Sequence, residues 1–577
     1  MSVKEFLGGL PLLPSPAESS PKIGYAIYAL EAISIVLFAV YLYMWPYKEY
    51  TLSYRNLRGP KVEHWFWGNV RTFIKSEPMV PHGNWIKEFG PTFRYRVIAG
   101  MPRFFTADPL AISYILNHSE TFPKPPQTRK AMSDMLGNGV LVAEGNDHKR
   151  QRKLLNPSFS SLAIKGMLPI FYEKSFELKE KFISLIENNE ENEIECSPTP
   201  PIEIDIIKGS KKIDIMSWLG KTTLDIIGLA GFSYNFNAIQ DPNNELAEAY
   251  RKMFSAGMEV TVGAILQAIF PIFQLIPTER MRTVRASTKK TQEIGQKLID
   301  EKKRVIAAAH QDGFQKQADI GNDLLSHLIK ANMASDLRPD QKLSDAEVLA
   351  QITTFMLAGN ETSSTALTWI LYSLSQHPEA QKRLREEAME VSDERPSLET
   401  LNSLPYMEAV IKEVLRLCAP APATMRQAME NTVIPLSTPV KGRDGKMIES
   451  VNLPKGAMMM IPILNVNKLE QVWGPDADQF NPDRFLKSDS SSNDISVGGV
   501  WGNLLTFLGG TRNCIGYKFA LAEIKVILFV LIRSFEFQEL PSKPIIERKA
   551  SVVMRSRVVG EEKAGLQMPL LVRPLST

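Results

Sequence analysis

The stretch Phe507-Leu508-Gly509-Gly510-Thr511-Arg512-Asn513-Cys514-Ile515-Gly516 sets a single cysteine on a glycine-rich turn, directly before an apolar helical pattern over residues 520–532. A helix start favours negative charge and offers unpaired N–H groups. A cysteine there is a stabilised thiolate, which is a metal ligand or a nucleophile. Gly509, Gly510 and Gly516 suit a turn with unusual backbone angles and the close approach of a flat partner. Arg512 offers five fixed donors to a carboxylate. A cysteine taken alone is more often a buried structural residue. The typed spacing F-x-x-G-x-R-x-C-x-G argues against that reading here.

This spacing resembles the haem-binding signature of the cytochrome P-450 family, the haem-thiolate monooxygenases. The resemblance implies that Cys514 is the axial ligand of a haem b iron, with Phe507 packed near the sulfur and Arg512 on a haem propionate. Gly509 and Gly516 complete the cofactor-binding turn. In such proteins the thiolate pushes electron density towards O–O cleavage.

The chain has 577 residues, 44% hydrophobic and 23% charged, as expected of a folded protein. A formal net charge of +3 implies no bulk attraction to nucleic acid. The cysteines Cys196, Cys418 and Cys514 show no C-x-x-C spacing, which argues against a disulfide framework or a zinc site.

Near the start, residues 23–45 are almost wholly apolar, long enough at about 1.5 Å per residue for a hydrocarbon core of roughly 30 Å. Tyr25, Tyr28, Tyr41, Tyr43 and Trp45 sit near its ends like interfacial belts, and Glu31 is the flaw. A signal peptide or a buried helix are the rival readings. The expected division is a luminal segment over residues 1–22, a transmembrane anchor over 23–45, a linker over 46–59 and a catalytic domain over 60–577. Lys48, Arg55, Arg58 and Lys61 place that domain in the cytosol. The expected location is therefore the endoplasmic reticulum membrane, single-pass, in contact with lipid. Leu57-Arg58-Gly59-Pro60 resembles the proline-rich hinge of microsomal members.

Further along, residues 93–98 and 103–106 read as a small hairpin. Residues 128–136 read as a short helix or loop, and 213–232, 244–257 and 288–309 as helices. The apolar run 260–276 is either a core helix or a lid that touches the bilayer. Residues 144–153 as a helix place His148 and Arg152 on one face. The family often has W-x-x-x-R here, so the resemblance puts Arg152, and His148 in the tryptophan's place, near the propionates. Lys149, Arg150 and Lys153 suggest a docking patch for an acidic redox partner.

Residues 344–376 form a long helical pattern that carries Ala358-Gly359-Asn360-Glu361-Thr362-Ser363 at its apolar middle. Glycine costs helix stability, and hydroxyls can bond back to the i−4 carbonyl. Such violations of local rules are expected at functional sites. By resemblance this is the oxygen-activating groove: Thr362 holds oxygen and water, and Glu361 feeds protons. Downstream, Glu413 and Arg416 on the helix 404–417 match the family's E-x-x-R pair. Arg484, in Asn481-Pro482-Asp483-Arg484-Phe485, would join them in a structural ion-pair network. Arg426 matches a second propionate contact. Phe355, Ala358, Gly359, Ala421, Ala423 and Thr424 are the expected substrate pocket. Residues 433–460 look β-rich, 487–499 read as a loop, and 566–569 as a hairpin tip facing the pocket.

The implied fold is mainly α with a small β-rich lobe, the haem lying between two helices. The implied function is insertion of one oxygen atom from O2 into a lipophilic terpenoid, sterol or fatty-acyl compound. NADPH would supply electrons through a separate flavoprotein, an NADPH-cytochrome reductase. The segment 435–456 resembles fungal members, which suggests secondary metabolism. A haem-thiolate isomerase or dehydratase, a haem sensor or carrier, and a cysteine hydrolase are the alternatives.

Overall fold

The computed structural model describes residues 21–43, 47–187, 209–241, 278–311, 323–333, 337–486, 495–550 and 553–575, with isolated positions between 244 and 263. The expectations for residues 1–20, 188–208 and 487–494, and most of those for 244–257 and 260–276, fall outside the described residues.

The first helix, α1, covers Pro21–Leu42. Its Tyr28, Ile33, Ile35, Val36 and Phe38 are exposed. Among the described residues no helix is long and apolar enough to cross a membrane. The transmembrane span expected over 23–45 is therefore not supported among the described residues.

The helices that position the site are α2 (Gly145–Leu155), α3 (Ser161–Glu187), α4 (Ile215–Phe232), α5 (Glu279–Gln311), α6 (Asp345–Gln376), α7 (Pro405–Leu417) and α8 (Tyr517–Ser534). Ser344 starts α6 with a capping box. Its hydroxyl accepts from the Glu347 N–H at 3.3 Å, and the Glu347 carboxylate accepts from the Ser344 N–H at 2.9 Å. Most of α6 beyond its first turn is buried, as expected of a helix apolar on nearly all sides. It packs on α4, α5, α7 and α8. A Cβ added at Gly359 would lie 2.9 Å from the Ile227 side chain, so the missing side chain is what lets α4 approach. The hydroxyls of Thr362, Ser364 and Thr368 are returned to carbonyls one turn back, at 2.6, 2.9 and 2.7 Å.

The strands β1 (Thr92–Arg96), β2 (Pro102–Thr106), β3 (Thr424–Gln427) and β4 (Met458–Ile461) make a sheet of order β1-β2-β4-β3. The β1–β2 pair is the expected hairpin, with Phe93 opposite Phe105 and their rings stacked at 4.3 Å. β4 joins β2 in parallel and β3 antiparallel, which carries Thr424 and Arg426 into the fold. The region 433–460 is β-rich as expected, with Thr432–Lys441 paired to Met447–Leu453. Strand β5 (Leu504–Gly509) delivers the cysteine turn, and β6 (Ile546–Ala550) pairs with β7 (Met554–Val558). Residues 566–569 differ from expectation. Met568 is fully buried, its N–H donates to Asp214 at 2.9 Å, and a strand follows that pairs with Lys211–Asp214. A buried backbone must satisfy its polar groups, and here a sheet does so instead of a loop tip.

Candidate functional site

The cysteine turn is closed by its own backbone: the Cys514 N–H donates to the Phe507 carbonyl at 2.8 Å. Two residues hold the left-handed conformation, Leu508 at φ 55° and Gly510 at φ 63°. At Gly510 a Cβ would also sit 2.4 Å from the Leu116 carbonyl oxygen, so only glycine fits. A Cβ added at Gly509 would overlap the Gly498 carbonyl, and one added at Gly516 would come within 3.4 Å of the Phe159 ring. Phe507 meets Trp501 edge-on at 5.7 Å and Tyr517 at 6.0 Å, beside the turn.

The Cys514 side chain is accessible, yet burial pushes its thiol pKa up. The Gly516 N–H and the charge of Arg152 oppose that rise. An accessible sulfur that the surrounding protein nonetheless desolvates is the sign of a site walled by protein. The middle of α6 gives the same sign. Ala358, Gly359, Asn360, Glu361 and Thr362 are all partly accessible, in a helix buried on both sides of them. Phe159 lies beside both walls, since a Cβ at Gly516 would come within 3.4 Å of its ring and it meets Phe355 edge-on at 5.3 Å. Ala421, Ala423 and Thr424 are also partly accessible, whereas Phe355 is buried.

Around the turn stands a cluster of cations. Arg152 donates to the Asn513 carbonyl at 2.7 Å and also to the Asn513 side chain. Arg512 donates to the Ala143 carbonyl at 2.8 Å and pairs with Glu144. Lys124 reaches the same Glu144 at 3.2 Å. Arg426 is buried on β3 and donates to the Thr424 hydroxyl at 2.9 Å and the Met425 carbonyl at 2.8 Å. His148 is buried beside them. Burial lowers the Arg426 pKa to about 10 and the Lys124 pKa to about 8. Burial, then the charges of Arg512, Lys124 and Arg152, lowers that of His148 to about 3. Glu144 is the carboxylate that offsets this group among the described residues. Excess buried charge is costly unless a counter-charge arrives. A dianionic ligand with two carboxylates, held above a thiolate, fits that demand. The residues present therefore fit a haem.

Below the turn lies the expected ion-pair network. Glu413 and Arg416 on α7 are fully buried and bidentate, at 2.8 Å for both bonds. Arg416 also donates to the carbonyls of Asn467, Ala477 and Gln479, at 3.0 Å for Asn467 and 3.1 Å for Gln479. Arg484 reaches Glu413 at 3.3 Å and Asp476 at 2.8 Å.

The family model described as Cytochrome P450 matches residues 57–559. The chain belongs to the cytochrome P450 family. It is similar to Cytochrome P450 monooxygenase 128 of Postia placenta, 40% identical over 91% of this chain and 93% of the relative. Cytochrome P450 monooxygenase 205 of the same fungus is 39% identical over 91% and 94%. Cytochrome P450 monooxygenase claQ of Ampulloclitocybe clavipes is 34% identical over 90% and 92%. The fungal likeness expected of the chain is thus found, and P450 membership implies haem iron with thiolate ligation.

Within this P450, several partners were invisible in sequence. Lys124, in the Pro-rich turn before residue 128, joins Arg512 on Glu144 only through folding. Glu361 does not stand free: Arg555 of β7 pairs with its carboxylate, and the Arg555 Nε lies 3.0 Å from it. The basic patch on α2 is partly consumed as well. Arg150 is paired with Glu347 and donates to the Lys342 carbonyl at 2.7 Å, and Lys149 is paired with Glu120.

Proposed function

We propose that the chain is a haem-thiolate monooxygenase that inserts one oxygen atom from O2 into a lipophilic small molecule. Terpenoid, sterol or fatty-acyl compounds in secondary metabolism are the proposed substrates. Electrons come from NADPH through a separate flavoprotein reductase. The observation that carries this reading is the accessible sulfur of Cys514 inside a rim of excess cations formed by Lys124, Arg152, Arg426 and Arg512.

A bound haem supplies the iron-centred oxygen chemistry. Cys514 provides the thiolate, and the Gly516 N–H stabilises that sulfur. Arg512, Arg426, Lys124 and His148 hold the carboxylates of the ligand. Ala358, Ala421 and Ala423 offer a lining without charge, which excludes water and favours an apolar substrate. The Thr362 hydroxyl, donating to the Ala358 carbonyl at 2.6 Å, keeps its lone pairs free to accept from a water beside it. Glu361 can carry a proton inward once it leaves Arg555. The exposed apolar side chains of α1 support attachment to the endoplasmic reticulum membrane, where a microsomal reductase would meet the chain.

The test is expression in microsomes with a reductase, screening terpenoids and sterols for spectral shifts and products. Product that requires both NADPH and O2 is expected, with loss of haem in Cys514→Ala. Product formed without oxygen would favour an isomerase or dehydratase, and haem binding without any product would favour a sensor or carrier.

A further inference from the structure

Away from the cysteine turn, an open cleft of about 460 Å³ lies between the linker and the hairpin of Thr432–Lys441 with Met447–Leu453. Arg58, Phe89, Lys441 and Arg443 line it, with backbone from Gly59 and Gly442, and no acidic residue does. Its walls are fixed. Leu57 bridges to Gly442, the Arg443 N–H donates to the Asn56 carbonyl at 2.8 Å, and a Cβ at Gly59 would overlap the Arg94 carbonyl. Arg58 is half-buried, its guanidinium 5.5 Å from the Phe89 ring centre. Among the described residues neither Arg58 nor Lys441 has a carboxylate partner. Arg443 has Glu49 at 3.4 Å, but that carboxylate is already shared by Arg94 and Arg96. The neighbouring acid, Asp444, accepts from the Asn56 side chain at 3.0 Å and from the Lys446 N–H at 3.1 Å. Burial, then the charge of Arg94, lowers the Arg443 pKa although Glu49 opposes the shift. Cations gathered in such surplus attract an anion, and guanidinium groups suit a phosphate.

The position of the cleft says where that phosphate comes from. Glu49 sits on the short helix Lys48–Thr51, between the exposed rings of Tyr47 and Tyr50. The Tyr47 ring stacks on Tyr43 at 5.6 Å, and Tyr43 directly follows α1 with its exposed apolar side chains. Tyrosines suit the boundary between apolar chains and headgroups. A continuous series of contacts thus runs from the apolar helix to the cationic cleft. We propose that the cleft binds the phosphate of an anionic phospholipid headgroup, with Arg58, Lys441 and Arg443 as its donors, beside the surface on which α1 lies. Basic clusters next to a membrane-bound segment gain affinity from anionic lipid, and salt screens that gain. The inference rests on the membrane-attachment reading above.

The test uses the haem-loaded full chain and two kinds of vesicle, phosphatidylcholine alone and phosphatidylcholine mixed with phosphatidylserine. The wild type should bind the mixed vesicles several-fold more tightly, and added salt should shrink the difference. Arg58→Gln with Lys441→Gln should abolish that preference, keep binding to phosphatidylcholine, and keep the thiolate-type carbon-monoxide spectrum. The pair Lys297→Gln with Lys382→Gln removes the same charge from exposed positions elsewhere and should leave the preference intact. A preference that survives in the cleft variant, or falls equally in the control, would overturn the proposal. Should the cleft variant lose haem, Lys441→Gln alone, at an exposed position, carries the same readout. Saturable binding of inorganic phosphate at the cleft without any vesicle preference would assign a soluble phosphate and overturn the lipid. A wild type that binds neither vesicle sinks the attachment reading and the proposal with it, whereas equal binding to both sinks the proposal alone.

Discussion

Arg152 on α2 holds Asn513, the residue just before the cysteine, through the Asn513 carbonyl at 2.7 Å and its side chain. The arginine therefore positions the cysteine turn as well as lending positive charge to the sulfur. Two jobs in one side chain explain why a lysine would be a poor substitute, since it lacks the fork.

Arg152→Ala should loosen the turn and remove that charge together. The expected cost is about 2 kcal/mol, the scale of hydrogen bonds from charged groups. The readout is the carbon-monoxide difference spectrum, where a fraction of the protein should shift from the thiolate type to the inactive type. A spectrum fully of the thiolate type would refute the clamp.

Glu413→Ala should be far more damaging. It strands the guanidinium of Arg416, which is fully buried, and frees Arg484 from its shared partner. Breaking a buried pair by removing one member costs about 3–5 kcal/mol. Denaturant unfolding should show the loss, and little haem-loaded protein should be recovered. Arg484→Ala, which leaves the Glu413–Arg416 pair intact, should be milder.

Acid should destabilise the protein through His82. This ring is buried, stacked on Phe73 at 4.8 Å and Phe105 at 5.2 Å, and has no hydrogen-bond partner among the described residues. Burial lowers its pKa from 6.5 to about 3. The unfolded chain thus binds a proton below pH 6.5 that the folded chain refuses, so this contribution is intact above 6.5 and is lost as the pH falls towards about 3. The full effect is at most about 5 kcal/mol. Unfolding midpoints of wild type and His82→Phe should diverge across that window, with the variant the less acid-sensitive. Parallel curves would place the acid sensitivity elsewhere.

Gly510→Ala should disrupt the turn itself. The substitution strains a backbone at φ 63° by about 1–3 kcal/mol and drives a methyl into the Leu116 carbonyl. Loss of haem retention at a preserved far-ultraviolet spectrum is expected. Haem content equal to wild type would show that the Leu116 segment gives way.

How much of this was legible beforehand differs by element. The motif around Cys514 was readable because its constraints are local: a turn that only glycine tolerates, then a helix start. The long helix α6 was readable from its apolar length, and the hairpin β1–β2 from its two short neighbouring runs. The network of Glu413, Arg416 and Arg484 was legible only through resemblance, because spacing cannot tell a surface ion pair from a buried one. Residues 566–569 were misread because their strand is completed by Lys211–Asp214, far away in the chain. The span over 23–45 was expected from apolar length and flanking aromatic residues, whereas no helix among the described residues is long and apolar enough to cross a membrane.

What the sequence by itself determined is the thiolate turn, its neighbouring helices and hence the family, since each follows from residue types within one or two turns of chain. What only the tertiary structure decided is the electrostatics: Lys124 gathered beside Arg426 and Arg512, and Arg555 placed on Glu361. Charge interactions and desolvation depend on distance and burial in space, and neither is written in the order of residues along a chain.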